Sequence, residues 1–422
     1  MTLAFRTLIF IVLFCFSSIV YSQEMQETVY DTKVKTIQFY NSTNPLESPI
    51  ITLQSAQTLT LEFDILTQEI PDLHYRIIAC DKNWNKAQLL QQEYLQTIGL
   101  LEFETIQHSI NTTTQYIHFA TEFPNSNISF LISGNYLVQV FDDYTEKILF
   151  QRRCMVVENL ITIEANQRRP KLVEIMDSHQ AIDISLLWEQ FPISNPLQDI
   201  HVLVQQNNRW DNSRWLDKPS HVYMQSMKYT TEPHNCWHGN AEFTQFNFKN
   251  MVYAGEYIQR IDRTTNSYTV LLEPNQIQTY KPYIYRGDLN GNFLPSHDIS
   301  PNDAATVADY ATVLISLAYR KQWYDTLDIY VVGGFNNWLL TTENRMMYND
   351  TLGQYTASLF LKQGYYDYAL AFVSNDKKHI FTHEIEGSYY QTENKYEIFV
   401  FHYDISKGYD RIIAYQTIQT KK

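Results

Sequence analysis

Residues 327 to 340 read LDIYVVGGFNNWLL, and this stretch decides the fold class of the C-terminal part of the chain. Its first half is a run of β-branched and aromatic residues, which is typical of a strand. In its second half, Gly333 and Gly334 permit a bulge or a positive φ, and Asn336 and Asn337 favour a turn. The stretch therefore predicts a strand that ends in a tight turn, with Trp338 covering the edge of a β-sandwich.

Similar strands recur on both sides of this stretch, several with the period-two alternation of a half-buried sheet. Examples are TLTLEFDIL, DIHVLVQQN and GQYTASLFL, and turn residues separate them. We expect an all-β fold of tandem immunoglobulin-like or early-set β-sandwich domains. Because 422 residues exceed a single core, we predict an N-terminal β-sandwich at 23–158, a middle β-domain at 159–303 and a C-terminal early-set-like β-sandwich at 304–422. The last boundary follows the polar stretch SPNDAAT.

Composition and charge exclude some functions. Aromatic residues reach 14% with 31 tyrosines, which favours strands, and tyrosine suits both half-exposed sheet faces and binding surfaces. The formal net charge of −14 opposes a phosphate backbone. We therefore expect no nucleic-acid partner.

The N-terminal stretch has the pattern of a secretory signal peptide at residues 1–22. Arg6 precedes an apolar run, and Val20 and Ser22 occupy the −3 and −1 positions of a cleavage site. No later segment approaches the roughly 20 apolar residues of a membrane helix, so we expect export without direct membrane insertion.

Cysteines are few once the signal peptide is removed. Cys80, Cys154 and Cys236 remain, which is too few for a disulfide framework. Cys80 and Cys154 fall in one predicted domain and could pair, although isolated buried thiols are the default.

The best metal candidate is HNCWH at 234–238. On a strand, His234, Cys236 and His238 would point to one face, and all three are zinc ligand types. Pro233 and the following glycine favour a loop instead, and no nearby motif supplies a fourth ligand. We therefore predict no metal at this motif.

Two other motifs lack required residues. HEIEG at 383–387, preceded by His379, has its glutamate after the second histidine instead of the first, so it is no zinc-protease motif, and it reads as a strand and turn. The loop from Asp288 resembles a calcium loop but has Phe293 where glycine is required and Ile299 where the bidentate glutamate belongs.

Motifs for nucleophilic catalysis, phosphate binding and dinucleotide binding are missing from the sequence. Acidic neighbours occur at Glu102 with Glu104 and at Asp142 with Asp143, but one sequence cannot show that carboxylates converge on a cleft. We predict a protein that is not an enzyme and binds no cofactor.

The stretch quoted first, followed by RMMYNDTLGQYTASLFLKQGYYDYALAF, resembles the early-set β-sandwich of glycogen-binding carbohydrate modules. Asn337 and Trp338 are the glycan contacts that this resemblance implies. The sequence departs from the binding members, because Ala369 follows Tyr368 where a lysine is usual and no tryptophan follows Trp338. We expect that the scaffold is retained and the sugar site lost. A secreted or periplasmic carbohydrate-binding β-sandwich protein remains the alternative function.

Over the whole mature chain, the sequence resembles the plug protein family of the type IX secretion system. The resemblance rests on LHYRIIACDKNWNKAQLLQQEYLQTIG, YKPYIYRGDLNG, DIYVVGGFNNW, MMYNDTLGQY and LKQGYYDYAL, in this order. It implies a non-catalytic periplasmic plug that docks on and seals the periplasmic opening of an outer-membrane β-barrel translocon. It assigns no partner-binding residue.

Overall fold

The computed structural model describes residues 26–320, 327–374 and 380–420, so the predicted signal peptide and His379 lie outside the described residues. The described chain is nearly all β, which confirms the predicted fold class of tandem β-sandwiches. No helix in the described ranges has the length and apolar character needed to cross a membrane.

The first domain, residues 26–158, packs two antiparallel sheets. Its strands are β1 (Thr28–Val29), β2 (Val34–Asn41), β3 (Ile50–Thr52), β4 (Leu59–Ile65), β5 (Leu73–Cys80), β6 (Leu95–Thr97), β7 (Leu101–Glu102), β8 (Thr105–His108), β9 (Ile117–Phe123), β10 (Ile128–Phe130), β11 (Gly134–Asp142) and β12 (Ile148–Val157), with a one-turn helix α1 (Gln91–Tyr94). One sheet has the order β1-β12-β11-β5-β7, with β3 parallel to β12, and the other has the order β2-β4-β9-β8.

Aromatic side chains fill the space between these two sheets. The ring of Phe63 stacks on Phe119 at 5.3 Å and meets Phe150 edge-on at 4.8 Å, and all three side chains are fully buried. Burial of each such side chain stabilises the fold by about 1.5–3 kcal/mol. The alternating apolar residues of β4, β9 and β12 thus form the core that the sequence pattern predicts.

The middle domain is built from residues 159–240 together with 388–420. Its first part contains β13 (Thr162–Arg168), β14 (His179–Leu187), helix α2 (Pro196–Asp199), β15 (Ile200–Gln206), β16 (Arg209–Trp215), β17 (His221–Val222), β18 (Ser226–Tyr229) and β19 (Cys236–His238). One sheet has the order β13-β14-β18-β17, with β19 also on β14.

The inserted domain, residues 241–387, interrupts the middle domain. Its elements are β20 (Thr244–Asn247), β21 (Ile258–Arg263), β22 (Tyr268–Leu272), β23 (Phe293–Pro295), a 3₁₀ turn (Pro301–Asp303), α3 (Ala304–Val307), β24 (Tyr310–Leu317), β25 (Asp328–Val332), a 3₁₀ turn (Gly334–Asn336), β26 (Met347–Asn349), β27 (Gln354–Lys362), β28 (Gly364–Val373), β29 (Ile380–Phe381) and α4 (His383–Glu386). One sheet gathers β20, β23, β25 and β29 around β28, and the other has the order β21-β22-β24-β27-β26.

The last two strands, β30 (Lys395–Asp404) and β31 (Tyr409–Gln419), return to the middle domain and complete its second sheet in the order β16-β15-β30-β31. The chain leaves and re-enters this domain at adjacent points, since the Tyr389 N–H donates to the Asn240 carbonyl at 2.9 Å. Ser388 Oγ accepts the N–H of Asn240 at 3.2 Å. Neighbouring ends are what an inserted domain requires.

This strand pairing differs from the predicted division at 303/304. Strands of the predicted middle domain, β20 and β22, pair with β28 and β24 of the predicted C-terminal domain, and β30 pairs with β15. The polar stretch SPNDAAT, whose composition suits a linker or a turn, forms the 3₁₀ turn Pro301–Asp303 and the start of α3. Period-two patterns identify strands but contain no information about their distant partners.

The three cysteines of the described chain are free and buried. Cys80 lies opposite Asn135 and Cys154 opposite Tyr136, so β11 separates the strands that carry the two thiols. Asn135 and Tyr136 are consecutive and point to opposite faces of the sheet, and so do the cysteines paired with them. A disulfide between Cys80 and Cys154 is therefore sterically impossible in this fold.

Candidate functional site

A tight turn begins at Gly333 as predicted, but its positive φ angles fall on Asn337 and Trp338 and not on the two glycines. Gly333 is extended, and a Cβ there would lie 2.8 Å from the Asp367 carbonyl oxygen. The Gly333 N–H donates to Asn336 Oδ1 at 3.1 Å, and Asn336 Nδ2 donates to the Val331 carbonyl at 2.9 Å. Asn337 closes the turn with a φ of 52°, the left-handed conformation that asparagine tolerates. The Asn336 side chain thus satisfies two backbone groups where β25 ends, and Asn337 supplies the left-handed residue of the turn.

Trp338 packs between domains. It is 7% exposed, it contacts Phe243 with a centroid separation of 5.7 Å, and the Arg209 guanidinium of the middle domain lies 4.2 Å from its ring centroid. A Cβ on Gly291 would lie 2.6 Å from the Trp338 ring. Since sugars stack on exposed aromatic faces, a glycan would have to displace Arg209 to use this ring.

A buried ion pair joins the first domain to the inserted domain. Lys362 Nζ lies 2.6 Å from Asp64 Oδ2, and both side chains are 1% exposed. The same carboxylate accepts a hydrogen bond from the Tyr310 hydroxyl at 2.6 Å, and its other oxygen lies 2.8 Å from His118 Nδ1. Burial raises the pKa of Asp64, but Lys362 and His118 outweigh burial and hold that pKa below its ordinary value.

Hydrogen bonds beside this pair extend the same junction. Asp309 of the inserted domain accepts the Thr113 N–H at 2.6 Å, the Thr113 hydroxyl at 2.7 Å and the Thr114 N–H at 3.0 Å. The Tyr116 hydroxyl donates to the Ala308 carbonyl at 2.7 Å. Charged and directional contacts of this kind fix one relative orientation of the two domains.

The junction between the first and middle domains is mainly apolar. Leu137 and Met155 of the first domain belong to one buried cluster with Phe399 and Ile412 of the middle domain. Glu158 lies at the edge of this cluster, where its carboxylate accepts two hydrogen bonds from the Arg411 guanidinium at 2.9 and 3.1 Å.

Three closely spaced imidazoles, called the stack below, lie where the middle and inserted domains meet: the ring of His383 is nearly parallel to that of His238, and the ring of His179 is tilted from it by 39°. The ring centroids of His179 and His238 are 4.0 Å apart, and those of His238 and His383 are 3.9 Å apart. The proposed common face of HNCWH does not form, because the strand begins at Cys236, which is buried, and His234 is exposed. Within the described ranges, no group of three His, Cys, Asp or Glu side chains is placed to hold a metal ion.

These histidines are neutral near pH 7. Burial, and after it the Arg214 charge, lowers the pKa of His179 to about 4. Burial, followed by His383 and His179, lowers the pKa of His238 to about 3. Neutral rings can stack closely, but charged rings at this spacing would repel each other.

Two of the acidic residues noted in the sequence do converge. Glu102 and Asp143 each lie 3.8 Å from a ring nitrogen of His74, and Asp72 lies at the same distance. The His74 side chain is 7% exposed. Strand pairing brings the two acidic residues to His74. On one side His74 lies opposite Glu102 of β7, and on the other it lies opposite Phe141 of β11, two residues before Asp143. The sequence alone cannot show this pairing.

An exposed apolar surface marks the first domain. We call it the apolar strap: Leu90, Ile98, Leu100 and Leu131, which are 65%, 65%, 66% and 43% exposed. Leu90 and Leu131 line one shallow cavity, and Ile98 and Leu100 flank Gly99. Exposed apolar side chains that adjoin one another are typical of interaction surfaces, and Leu90 and Leu131 adjoin at the cavity they share. In the sequence, three of these four residues lie in the leucine-rich segment LLQQEYLQTIGLL at 89–101, but nothing in that segment shows that their side chains are exposed.

Comparisons with known proteins agree with the resemblance found in the sequence. Residues 34–158 match the family model described as type 9 secretion system plug protein 1st domain, which confirms that resemblance for the first domain. A crystal structure of a hypothetical protein from Parabacteroides merdae ATCC 43184 is 29% identical and superposes with a TM-score of 0.90 over 94% of this chain and 100% of that one. A search of curated proteins found no match.

Proposed function

We propose, with the family match of residues 34–158 as the premise, that this protein is a non-catalytic periplasmic plug. In this proposal it docks on the outer-membrane β-barrel translocon of type IX secretion and seals its periplasmic opening. That match is the single observation that carries the proposal. A wide protein-conducting channel leaks solutes when it is open, and a body of suitable shape can close it by contact alone.

The joined domains support this proposal, because a seal must keep its shape under load. Each pair of domains is connected by packed side chains: the buried Asp64–Lys362 pair, the buried cluster around Leu137 and Phe399, and the half-buried group of His179, His238 and His383. The TM-score of 0.90 over nearly the whole chain means that a crystal structure of a similar protein has the same domain arrangement.

Within this proposal we assign the apolar strap to the contact with the barrel. It lies in the domain that the family model matches, and its four side chains expose apolar surface that water solvates unfavourably. The neighbouring residues Gln91, Gln92 and Gln96 are uncharged, and the exposed Glu93 adds one charge beside them. A strap of this composition suits the apolar core of a protein interface, with the neighbouring glutamines and Glu93 as its polar rim.

Crosslinking in intact envelopes, followed by purification of this protein, tests the proposal. We expect capture of an outer-membrane β-barrel protein and increased entry of a large, normally excluded dye when the plug gene is deleted. Recovery of no barrel partner, together with unchanged dye entry, would contradict the proposal.

A further inference from the structure

A cavity of about 490 Å³ opens in the middle domain, and His179 is the residue that it shares with the junction to the inserted domain. Its walls come from the end of β16, the end of β18 and the turn before β19. The apolar lining includes Trp215, Leu216 and Tyr229, and the polar lining includes Arg214, Lys218 and His179. Small-molecule sites commonly have this size and this mixture of apolar walls with a few polar groups.

Arg214 is the distinctive side chain of this cavity. It is exposed, and its guanidinium carbon lies 4.1 Å from the Trp237 ring centroid. It donates a hydrogen bond to the Cys236 carbonyl. Among the described residues, Arg214 has no carboxylate within ion-pair distance. The Trp237 ring and the Cys236 carbonyl thus hold the Arg214 guanidinium in place, while no carboxylate neutralises its charge.

The other groups leave the cavity positively charged. Lys218 adds a second cation, Asp217 contributes one carboxylate, and His179 is neutral because burial lowers its pKa to about 4. The lining therefore carries one net positive charge, in a chain whose formal net charge is −14. A local positive charge on an acidic protein attracts small anions by Coulomb interaction.

We propose that this cavity binds an organic anion, meaning a carboxylate or phosphate attached to an apolar group. The guanidinium of Arg214 binds the anionic group, since its planar fork matches carboxylate and phosphate oxygens. Trp215, Leu216 and Tyr229 pack against the apolar group. The site does not depend on the proposed plug function, and the HNCWH motif contributes to its wall through His234 and Cys236.

The test uses the full mature chain and two pairs of probes by calorimetry. Benzoate and phenyl phosphate carry the anionic group, and benzamide and benzyl alcohol are neutral counterparts of similar shape. We expect measurable binding of at least one anion, at least tenfold weaker binding of its neutral counterpart, and weakening as salt increases. Binding of both members of a pair with equal affinity would overturn the proposal, as would binding of neither anion.

Arg214→Gln provides the residue-level test. We expect it to weaken anion binding at least tenfold, while Arg214→Lys gives an intermediate loss because it keeps the charge without the fork. The matched control is Arg263→Gln, since Arg263 is also exposed and also lies over an aromatic ring, Tyr268, at 5.5 Å. Equal anion affinity in Arg214→Gln and Arg263→Gln would overturn the assignment.

A measurement on the unaltered protein makes the test independent of the variants' folding. Phenylglyoxal modifies exposed arginines, and mass spectrometry identifies each modified side chain. We expect a bound anion to slow modification of Arg214 and to leave Arg263 unchanged. Unchanged modification of Arg214 at a saturating anion concentration would contradict the proposed site even where binding is detected.

Discussion

At the scale of single residues, loss of the Lys362 side chain should strongly lower the stability of the protein. Lys362→Met removes the cation that neutralises Asp64, and both groups are 1% exposed. Breaking a buried ion pair by removing one partner typically costs about 3–5 kcal/mol, and His118 and Tyr310, which still contact Asp64, favour the lower end of this range. We therefore expect the free energy of unfolding to fall by about this amount, measured by urea denaturation at pH 7.

The chain offers a matched control for this variant. Lys35 and Glu343 connect the same two domains at 3.3 Å, but the Glu343 side chain is 60% exposed. Exposed pairs contribute roughly 0–1 kcal/mol, so Glu343→Gln should change stability little. If Lys362→Met were no more destabilising than Glu343→Gln, the buried pair would not hold the domains together.

Trp338 distinguishes the structural role of the turn from a role in glycan binding. Because its ring is 7% exposed under Arg209, Trp338→Ala should destabilise the protein by about 3–5 kcal/mol, as large-to-small changes of buried aromatic residues do. Tyr280, which is 95% exposed, provides the control, and Tyr280→Ala should stay within about 0.5 kcal/mol of the unaltered protein.

The same pair of variants tests the glycan alternative. We expect no retention on a panel of immobilised polysaccharides for either variant or for the unaltered protein. Retention that disappears in Trp338→Ala, with stability unchanged, would instead support sugar binding at Trp338 and contradict its structural role.

The turn around Trp338 could be predicted from the sequence, but the Arg209 side chain that covers the Trp338 ring could not. Glycine and asparagine report local backbone requirements, so Asn336 and Asn337 could be assigned to the turn. Arg209 is remote in sequence and reaches Trp338 only after two domains have packed. Asp64 and Lys362 carry no local signal of their pairing for the same reason.

At the scale of elements, the stack of His179, His238 and His383 should make stability depend on pH. An unfolded histidine takes up a proton near its ordinary pKa of about 6.5, but folded His238 does so only at about pH 3. Between these values the unfolded state binds more protons, so stability falls as the pH decreases below about 6.5.

His238→Asn removes the loss of stability that His238 causes at acidic pH. On going from pH 7 to pH 4.5, the variant should therefore lose less stability than the unaltered protein, measured by denaturation midpoints at both pH values. Glu242 has the opposite dependence, since burial raises its pKa to about 7, but it is present in both proteins and cancels in the difference. The exposed His221 supplies the control His221→Asn, and an equal pH response of the two variants would contradict the role of the stack.

The apolar strap gives a second element-scale prediction, which rests on the proposed function. The double change of Ile98 and Leu100 to Gln should reduce co-purification of the barrel partner at least tenfold without lowering the unfolding midpoint, because both side chains are about two-thirds exposed. Ile405, which is 81% exposed in the middle domain, supplies the control Ile405→Gln. Unchanged co-purification in the double variant would remove the strap from the interface.

Strands were predictable from the sequence and short helices were not. The alternation in GQYTASLFL appears as the buried and exposed alternation of β27. HEIEG, predicted as a strand and turn, instead forms the one-turn helix α4, so that prediction was wrong. Four residues are too few to show a helical period, and contact with β28, whose Leu370 N–H donates to Glu386, holds the turn in place.

At the scale of the whole molecule, sequence patterns could not predict that one domain is inserted into another. The middle domain takes its second sheet from β15 and β16 on one side of the insertion and from β30 and β31 on the other. Its core joins Ile182 and Val202 to Tyr396 and Ile398, all fully or almost fully buried. Pairing over such a separation depends on the tertiary fold, and the polar stretch at 300–306 suggested a boundary inside a domain.

This arrangement predicts how fragments behave. A fragment of residues 241–387 contains both sheets of the inserted domain and should fold alone, with a dispersed amide NMR spectrum and a cooperative thermal transition. A fragment of residues 304–420, which follows the boundary predicted from sequence, lacks β20 to β23 and carries β30 and β31 without β15. It would expose the apolar faces of Tyr396 and Ile398, so we expect aggregation or a collapsed spectrum. A cooperative transition in the 304–420 fragment, together with none in the 241–387 fragment, would show that these sheets do not define the folding units. The packed domain junctions would then no longer support the proposed plug function.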